Sequence, residues 1–215
     1  GARLSGQMKN GTFTRRGWLA LSIAPLAFTR NRDFTLQHDF VLGTSLDLRV
    51  TGVARADAED AEAAVLAEVE RLRSVLDMRD PGSVIRRAGV DARHPDLQRV
   101  MDAYRYWNAK TGGVIRAELN GSPNVDALGK AYIVDRAAEA AYAAAPGASR
   151  IVLDIGGDIR VIGSAELGIA DPVRPHDNAD PLTVVRIADR GLASSGMYAR
   201  GAHIVDGRTG AAAVG

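Results

Sequence analysis

Apolar and polar side chains alternate from Leu46 to Val50, with Leu46, Leu48 and Val50 set against Asp47 and Arg49. A period of two is that of a strand with one buried face. Together with Phe40-Val41-Leu42, this predicts a strand pair interrupted at Gly43-Thr44. The period then changes. Val65, Val69, Leu72 and Leu76 fall on one helical face, predicting a helix capped by Asp57 and running to about Leu76. Asp80-Pro81-Gly82-Ser83 reads as a turn. A second helix is expected from Asp96, with Leu97, Val100, Tyr104 and Trp107 on one face and Gly112-Gly113 ending it. Lys130 to Ala145 is an alanine-rich helix stopped by Pro146-Gly147. Ile151–Ile155 and Ile159–Ile162 flank the tight turn Gly156-Gly157-Asp158, the spacing of a β-hairpin. Further strands are expected near Leu167–Ala170 and Leu182–Ile187, with Asp171–Pro181 as the most loop-like stretch. Helices mixed with hairpins predict an α+β fold, with mixed or antiparallel sheets and flanking helices.

Composition narrows the function classes. The 215 residues carry 27 Lys plus Arg against 26 Asp plus Glu, a net charge of +1, which argues against nucleic-acid binding. There is no cysteine, so disulfides, thiolate metal sites and cysteine nucleophiles are excluded. Aromatic residues are only 5%, too few for a base-stacking platform. The balance hides an asymmetry. Arg3, Lys9, Arg15, Arg16, Arg30 and Arg32 all precede the first acid, Asp33. The head holds Thr14-Arg15-Arg16-Gly17-Trp18-Leu19, followed by an apolar run to Phe28 that is too short to span a bilayer. Adjacent arginines before a short apolar run are the pattern of a twin-arginine export signal. The expected organisation is an export arm over residues 1–32 and one domain over 33–215. Location would be periplasmic or at the outer face of the cytoplasmic membrane, with peripheral or no membrane contact.

Four groups bear candidate chemistry. Asn124-Val125-Asp126-Ala127-Leu128-Gly129-Lys130 is a polar loop feeding a helix; a helix start suits phosphate, and Lys130 is one of only three lysines. Asn124 or Asp126 as a plain cap is the competing reading. Gly156-Gly157-Asp158 allows close backbone approach to a ligand, or is simply a hairpin turn. Ala193-Ser194-Ser195-Gly196-Met197-Tyr198 offers hydroxyls beside glycine, but no Gly-x-Ser-x-Gly elbow. His203-Ile204-Val205-Asp206-Gly207-Arg208-Thr209-Gly210 holds a histidine able to act as a base. The other histidines show no metal-ligand spacing, and neither a Walker A motif nor Gly-x-Gly-x-x-Gly is present.

In their order these segments resemble the FAD:protein FMN transferase (ApbE) family. Val41-Leu42-Gly43-Thr44-Ser45 is similar to its Met-Gly-Thr element, and Thr111-Gly112-Gly113-Val114-Ile115 to its Gly-Gly-Ala-Phe-Asp-Pro element. Asn124 to Asp135 resembles its Ala-Ile-(Ala/Gly)-Lys-Gly-Tyr-Ala-Val-Asp signature, and Leu153 to Asp158 its Asn-Leu-Gly-Gly-Asp turn. Leu192 to Tyr198 is similar to its Ala-Thr-Ser-Gly-x-Tyr loop, and His203 to Gly210 to its His-Ile-Ile-Asp-Pro-x-Thr-Gly motif. The chain departs from the pattern at Arg116-Ala117, Ala131 and Gly207.

The resemblance implies binding of FAD and Mg²⁺, transfer of FMN to a threonine hydroxyl of a target flavoprotein, and release of AMP. That is phosphoryl-transfer chemistry, in which a cation neutralises the pyrophosphate while the hydroxyl attacks phosphorus. It assigns FAD contacts to Leu42, Asn124, Lys130 and Val205. Ser195 would line the site, the Ala127 carbonyl would bind metal, and His203 would be the base. The family's principal metal ligands, an Asp and a Thr, follow the Thr-Gly motif, whereas this chain stops at Gly215. Unless another acid such as Asp206 substitutes, the metal site is incomplete, and the expectation is a fragment of a longer product or a degenerate member. The alternatives are a non-catalytic FAD-binding protein and an FAD pyrophosphatase.

Overall fold

The computed structural model describes residues 32–119, 122–171, 180–195, 205–206 and 209–211. Residues 1–31 of the export arm, the centre of the Asp171–Pro181 segment and His203 lie outside these residues. Five strands form one sheet in the order β1-β2-β5-β6-β9: β1 (Asp33–Val41), β2 (Thr44–Thr51), β5 (Arg150–Ile155), β6 (Asp158–Ile162) and β9 (Gly191–Ala193). Two small sheets accompany it, β3 (Glu118–Leu119) with β4 (Ser122–Pro123), and β7 (Ser164–Ile169) with β8 (Thr183–Ala188). Every pairing among the described residues is antiparallel, which fixes the α+β expectation to its antiparallel form.

The period-two pattern decides what each sheet face buries. Leu46, Leu48 and Val50 of β2 lie in register with Ile155, Leu153 and Ile151 of β5, and all six are buried. Against them pack α1 (Arg55–Leu76), α3 (Pro95–Lys110) and α4 (Asp126–Ala144), while the short α2 (Val84–Ala88) contributes Ile85. Val65, Val69, Leu72 and Leu76 of α1 share this core with Ile133, Ala137, Ala138 and Ala141 of α4. The alanines let the two helices approach closely, and each large side chain withdrawn from water contributes about 1.5–3 kcal/mol. The opposite sheet face is smaller. Val152, Ile159 and Val161 meet Ala165 and Leu167 of β7. Asp47 and Asp154, cross-strand neighbours in β2 and β5, alternate out of the helix-side core.

Helix boundaries differ from the expected ones for local reasons. Asp57 is the third residue of α1 rather than its cap; Ala54 is the cap, and its N–H donates to Asp57 Oδ2 at 3.2 Å. His94 caps α3, with Nδ1 accepting from the Asp96 N–H at 3.3 Å, and Pro95 fills the first turn where no N–H is needed. The expected face of α3 loses Trp107, which is 45% exposed, while Leu97, Val100 and Tyr104 are buried. Helix α4 starts at Asp126, a turn before Lys130, although it contains Gly129. A mid-helix glycine costs about 1 kcal/mol. Here Gly129 is buried beside Leu76 and Val125. Ser83, expected only as a turn residue, caps α2 by accepting from the Arg86 N–H.

Candidate functional site

The β5–β6 turn gathers three of the four candidate segments. Gly156 and Gly157 have φ of +56° and +88°, the left-handed pair that a two-residue hairpin loop needs. Gly156 donates its N–H to the Ser45 carbonyl at 3.0 Å, and any Cβ on Gly156 would collide with the Thr44 side chain. A Cβ on Gly157 would come within 3.0 Å of Ser194 Oγ, and the Ser194 N–H donates to the Gly157 carbonyl. The glycines thus serve protein-to-protein approach: they let the β1–β2 tip and the segment after β9 close on one turn.

Lys130 reaches this turn from the second turn of α4. Its ammonium donates to Asp158 Oδ2 at 2.8 Å and to the Gly156 carbonyl at 3.3 Å, and both charged side chains are about one-quarter exposed. A charged hydrogen bond mostly shielded from water holds better than a surface pair. Asp154 Oδ1 accepts the Gly157 N–H at 2.8 Å. Burial pushes the Asp154 carboxyl up to about 6, helped by Asp47 and Asp158 and opposed by the Gly157 N–H and Lys130. Asp47 is itself held by the Gln37 side-chain amide.

The start of α4 is less open than expected. The Asp126 N–H donates to Asn124 Oδ1, Leu128 to the buried Tyr104 hydroxyl at 3.2 Å, and Gly129 to the Val125 carbonyl. Donors anticipated for phosphate are therefore used inside the protein, and Lys130 supplies the charge instead. Asn124 lines a shallow hollow of about 250 Å³ with Met78, Ser122, Pro123 and Asp126. Ala127 is exposed in the first helical turn, where its carbonyl accepts along the helix and keeps one lone pair. Among the described residues, no three His, Cys, Asp or Glu side chains are placed to hold a metal ion.

Of the predicted residues, Leu42 (φ +50°) sits on the β1–β2 tip just before Thr44, and Ser195 is exposed just after Ser194. Lys130 makes direct contacts with the turn, while Leu42 packs against the helix-side core and Ser195 adjoins Ser194 in sequence. Asn124 and Ala127 stand at the start of α4. Val205 is 36% exposed and forms an isolated bridge. Thr44, Ser194 and Asp158 are legible in the sequence as members of their motifs, and Tyr104 only as a residue of a helix face. The Tyr104 contact and the Lys130–Asp158 pair join residues 24 and 28 apart, which no spacing rule reveals.

Residues 122–214 match the model of the ApbE family. Over this stretch, under half of its length, the chain is similar to the ApbE family. The matched segment contains Asn124, Lys130, the glycine turn and Ser194. Among solved structures, the chain is similar to the Flavin Transferase ApbE from Vibrio cholerae at 16% identity and TM-score 0.62, covering 84% of this chain and 78% of that one. It is also similar to the apo form of Pseudomonas stutzeri flavinyl transferase ApbE at 14% identity and TM-score 0.67, covering 88% and 78%. At such identities the likeness establishes the ApbE-type fold. No curated protein matches.

Proposed function

We propose that this chain is an FAD:protein FMN transferase, moving FMN from FAD to a threonine hydroxyl of a target flavoprotein with release of AMP. The observation that carries this reading is the convergence of Thr44, the Gly156-Gly157 turn, Ser194 and Lys130 inside a fold similar to that of ApbE proteins, all but Thr44 within the segment that matches the family. Lys130 would oppose phosphate charge, a stabilisation that grows as the site excludes water. The Thr44 and Ser194 hydroxyls and the turn backbone would orient the pyrophosphate. His203, outside the described residues, would take the proton of the attacking hydroxyl.

Mg²⁺ enters by resemblance. When bound it would neutralise the pyrophosphate and aid departure of AMP. Ala127 offers one carbonyl, and the described residues do not complete the octahedral oxygen set that Mg²⁺ prefers.

The test is incubation of the protein with FAD, Mg²⁺ and a threonine-containing peptide from a candidate flavoprotein, read by peptide mass and AMP release. A flavin-labelled peptide with equimolar AMP is expected. AMP and free FMN without an acceptor would make the protein a pyrophosphatase, and FAD binding without either product would make it a carrier. Export through the twin-arginine route belongs to the same proposal. Replacing Arg15 and Arg16 by lysine should abolish delivery of a fused reporter outside the cytoplasm.

A further inference from the structure

Helix α4 and strand β6 meet through two ion pairs of opposite polarity. Lys130 of the helix pairs with Asp158 of the strand at 2.8 Å, and Asp135 of the helix faces Arg160 of the strand at 3.4 Å. Five residues of helix rise about 7.5 Å and two residues of strand about 6.6 Å, so the pairs repeat at matched intervals. A slip of α4 that carried Asp135 toward Asp158 would set carboxylate against carboxylate. Arg160 Nε is buried without a hydrogen-bond partner among the described residues, so it answers Asp135 as a charge rather than through a shared proton. Between the two pairs, Tyr132 donates its hydroxyl to Asp96 Oδ1 at 2.6 Å, tying α4 to α3 as well.

We propose that Asp158 and the Asp135–Arg160 pair are positioning residues for Lys130, setting the register of α4 on β6 so that the ammonium stands at the Gly156 carbonyl. Their role is placement of a charge already counted in the site, and their kinetic consequence rests on the flavin-transfer reading above. The placement itself is independent of that reading.

The chain has three well-separated lysines, Lys9, Lys110 and Lys130, so each is read in its own peptide. Brief acylation with acetic anhydride, quantified by peptide mass spectrometry against Lys110, should find Lys130 slow to react. D158N should raise its rate several-fold. D135R and R160D should each raise it less, and the combined charge swap should return it toward the parent value. In the transfer assay, D158N should lower kcat by roughly 10- to 100-fold, the scale of a small misplacement of a reacting group. KM for FAD should stay within about threefold, since uniform binding is not what is lost. D158E should recover part of kcat.

Unchanged Lys130 labelling in D158N overturns the proposal. So does a KM that rises as much as kcat falls, because Asp158 would then act on the nucleotide. If D158N melts below assay temperature, D158E and the charge swap still decide the matter. If the parent protein shows no FAD turnover while labelling responds as expected, the functional reading falls and the register device stands.

Discussion

Asp96 and Asp154 are both withdrawn from water, yet their surroundings differ in sign. Asp96, 6% exposed, receives a hydrogen bond from Arg71 at 2.7 Å and one from Tyr132 at 2.6 Å. Burial works against its charge, but Arg71 and Tyr132 outweigh it and hold the carboxyl below the usual range. Asp154 has the Gly157 N–H and a distant share of Lys130, with Asp47 across the strand and Asp158 beyond the turn. Its carboxyl is pushed up to about 6. Burial penalises both charges, and the company each keeps decides the outcome. The first aspartate joins α1, α3 and α4 into a framework. The second is a cost carried at the turn that receives Lys130.

The sharpest break of that contrast is Asp96→Ala, which removes the acceptor of the Tyr132 hydroxyl and leaves Arg71 with Glu68 alone. Urea unfolding at pH 7 should show a loss of about 2–3 kcal/mol, less than the roughly 3–5 kcal/mol of a fully buried pair because Arg71 is half exposed. Since the folded carboxyl titrates below its unfolded value of about 3.9, its contribution is present at neutral pH. It fades as pH falls below about 4. Gly156→Ala comes next. The left-handed φ and the collision with Thr44 should together cost about 1–3 kcal/mol, and Thr44→Ser should not relieve the backbone part of it.

Asp154→Asn should act in the opposite direction. Its amide oxygen still accepts the Gly157 N–H, while the charge is gone. A group whose folded value is raised contributes stability below about pH 4 and loses it as pH rises through about 6. The variant should therefore be more stable by about 1–2 kcal/mol at pH 8, and the stability rise on acidifying from pH 8 to 5 should flatten. The smallest effect is expected at Phe40→Gly. Phe40 is 86% exposed with φ +66°, beside Leu42 at +50°. Relief of a left-handed non-glycine residue should add up to about 1 kcal/mol, read by calorimetry. A loss there instead would mean that the ring packs on something the strain is worth.

Much of this fold was legible because its signals are local. Alternation at Leu46–Val50 needed only the two faces of a strand. The Gly156-Gly157 turn needed only the left-handed conformation that glycine tolerates. The heptad-like run through Val65 and Leu76 needed only a helix pitch. Boundaries were less legible, since a cap is a choice among neighbouring side chains: Asp57 supports the helix start from its third position, and Asp96 is put to tertiary work by Arg71 and Tyr132. The order of motifs pointed to the family, but it did not say which motifs touch. Three of them meet at one hairpin, and the donors at the start of α4 are already taken by Asn124, Tyr104 and Val125.

The chain alone determined the elements, the buried faces and the inventory of charged and hydroxyl groups, because these follow from periodicities of a few residues. Only the tertiary structure decided the partners of Lys130, Asp96 and Asp154. An ionisable group answers to whatever lies within a few ångströms, and here Arg71 beside Asp96, Gly156 beside Lys130 and Asp47 beside Asp154 come from 25 to more than 100 positions away along the chain.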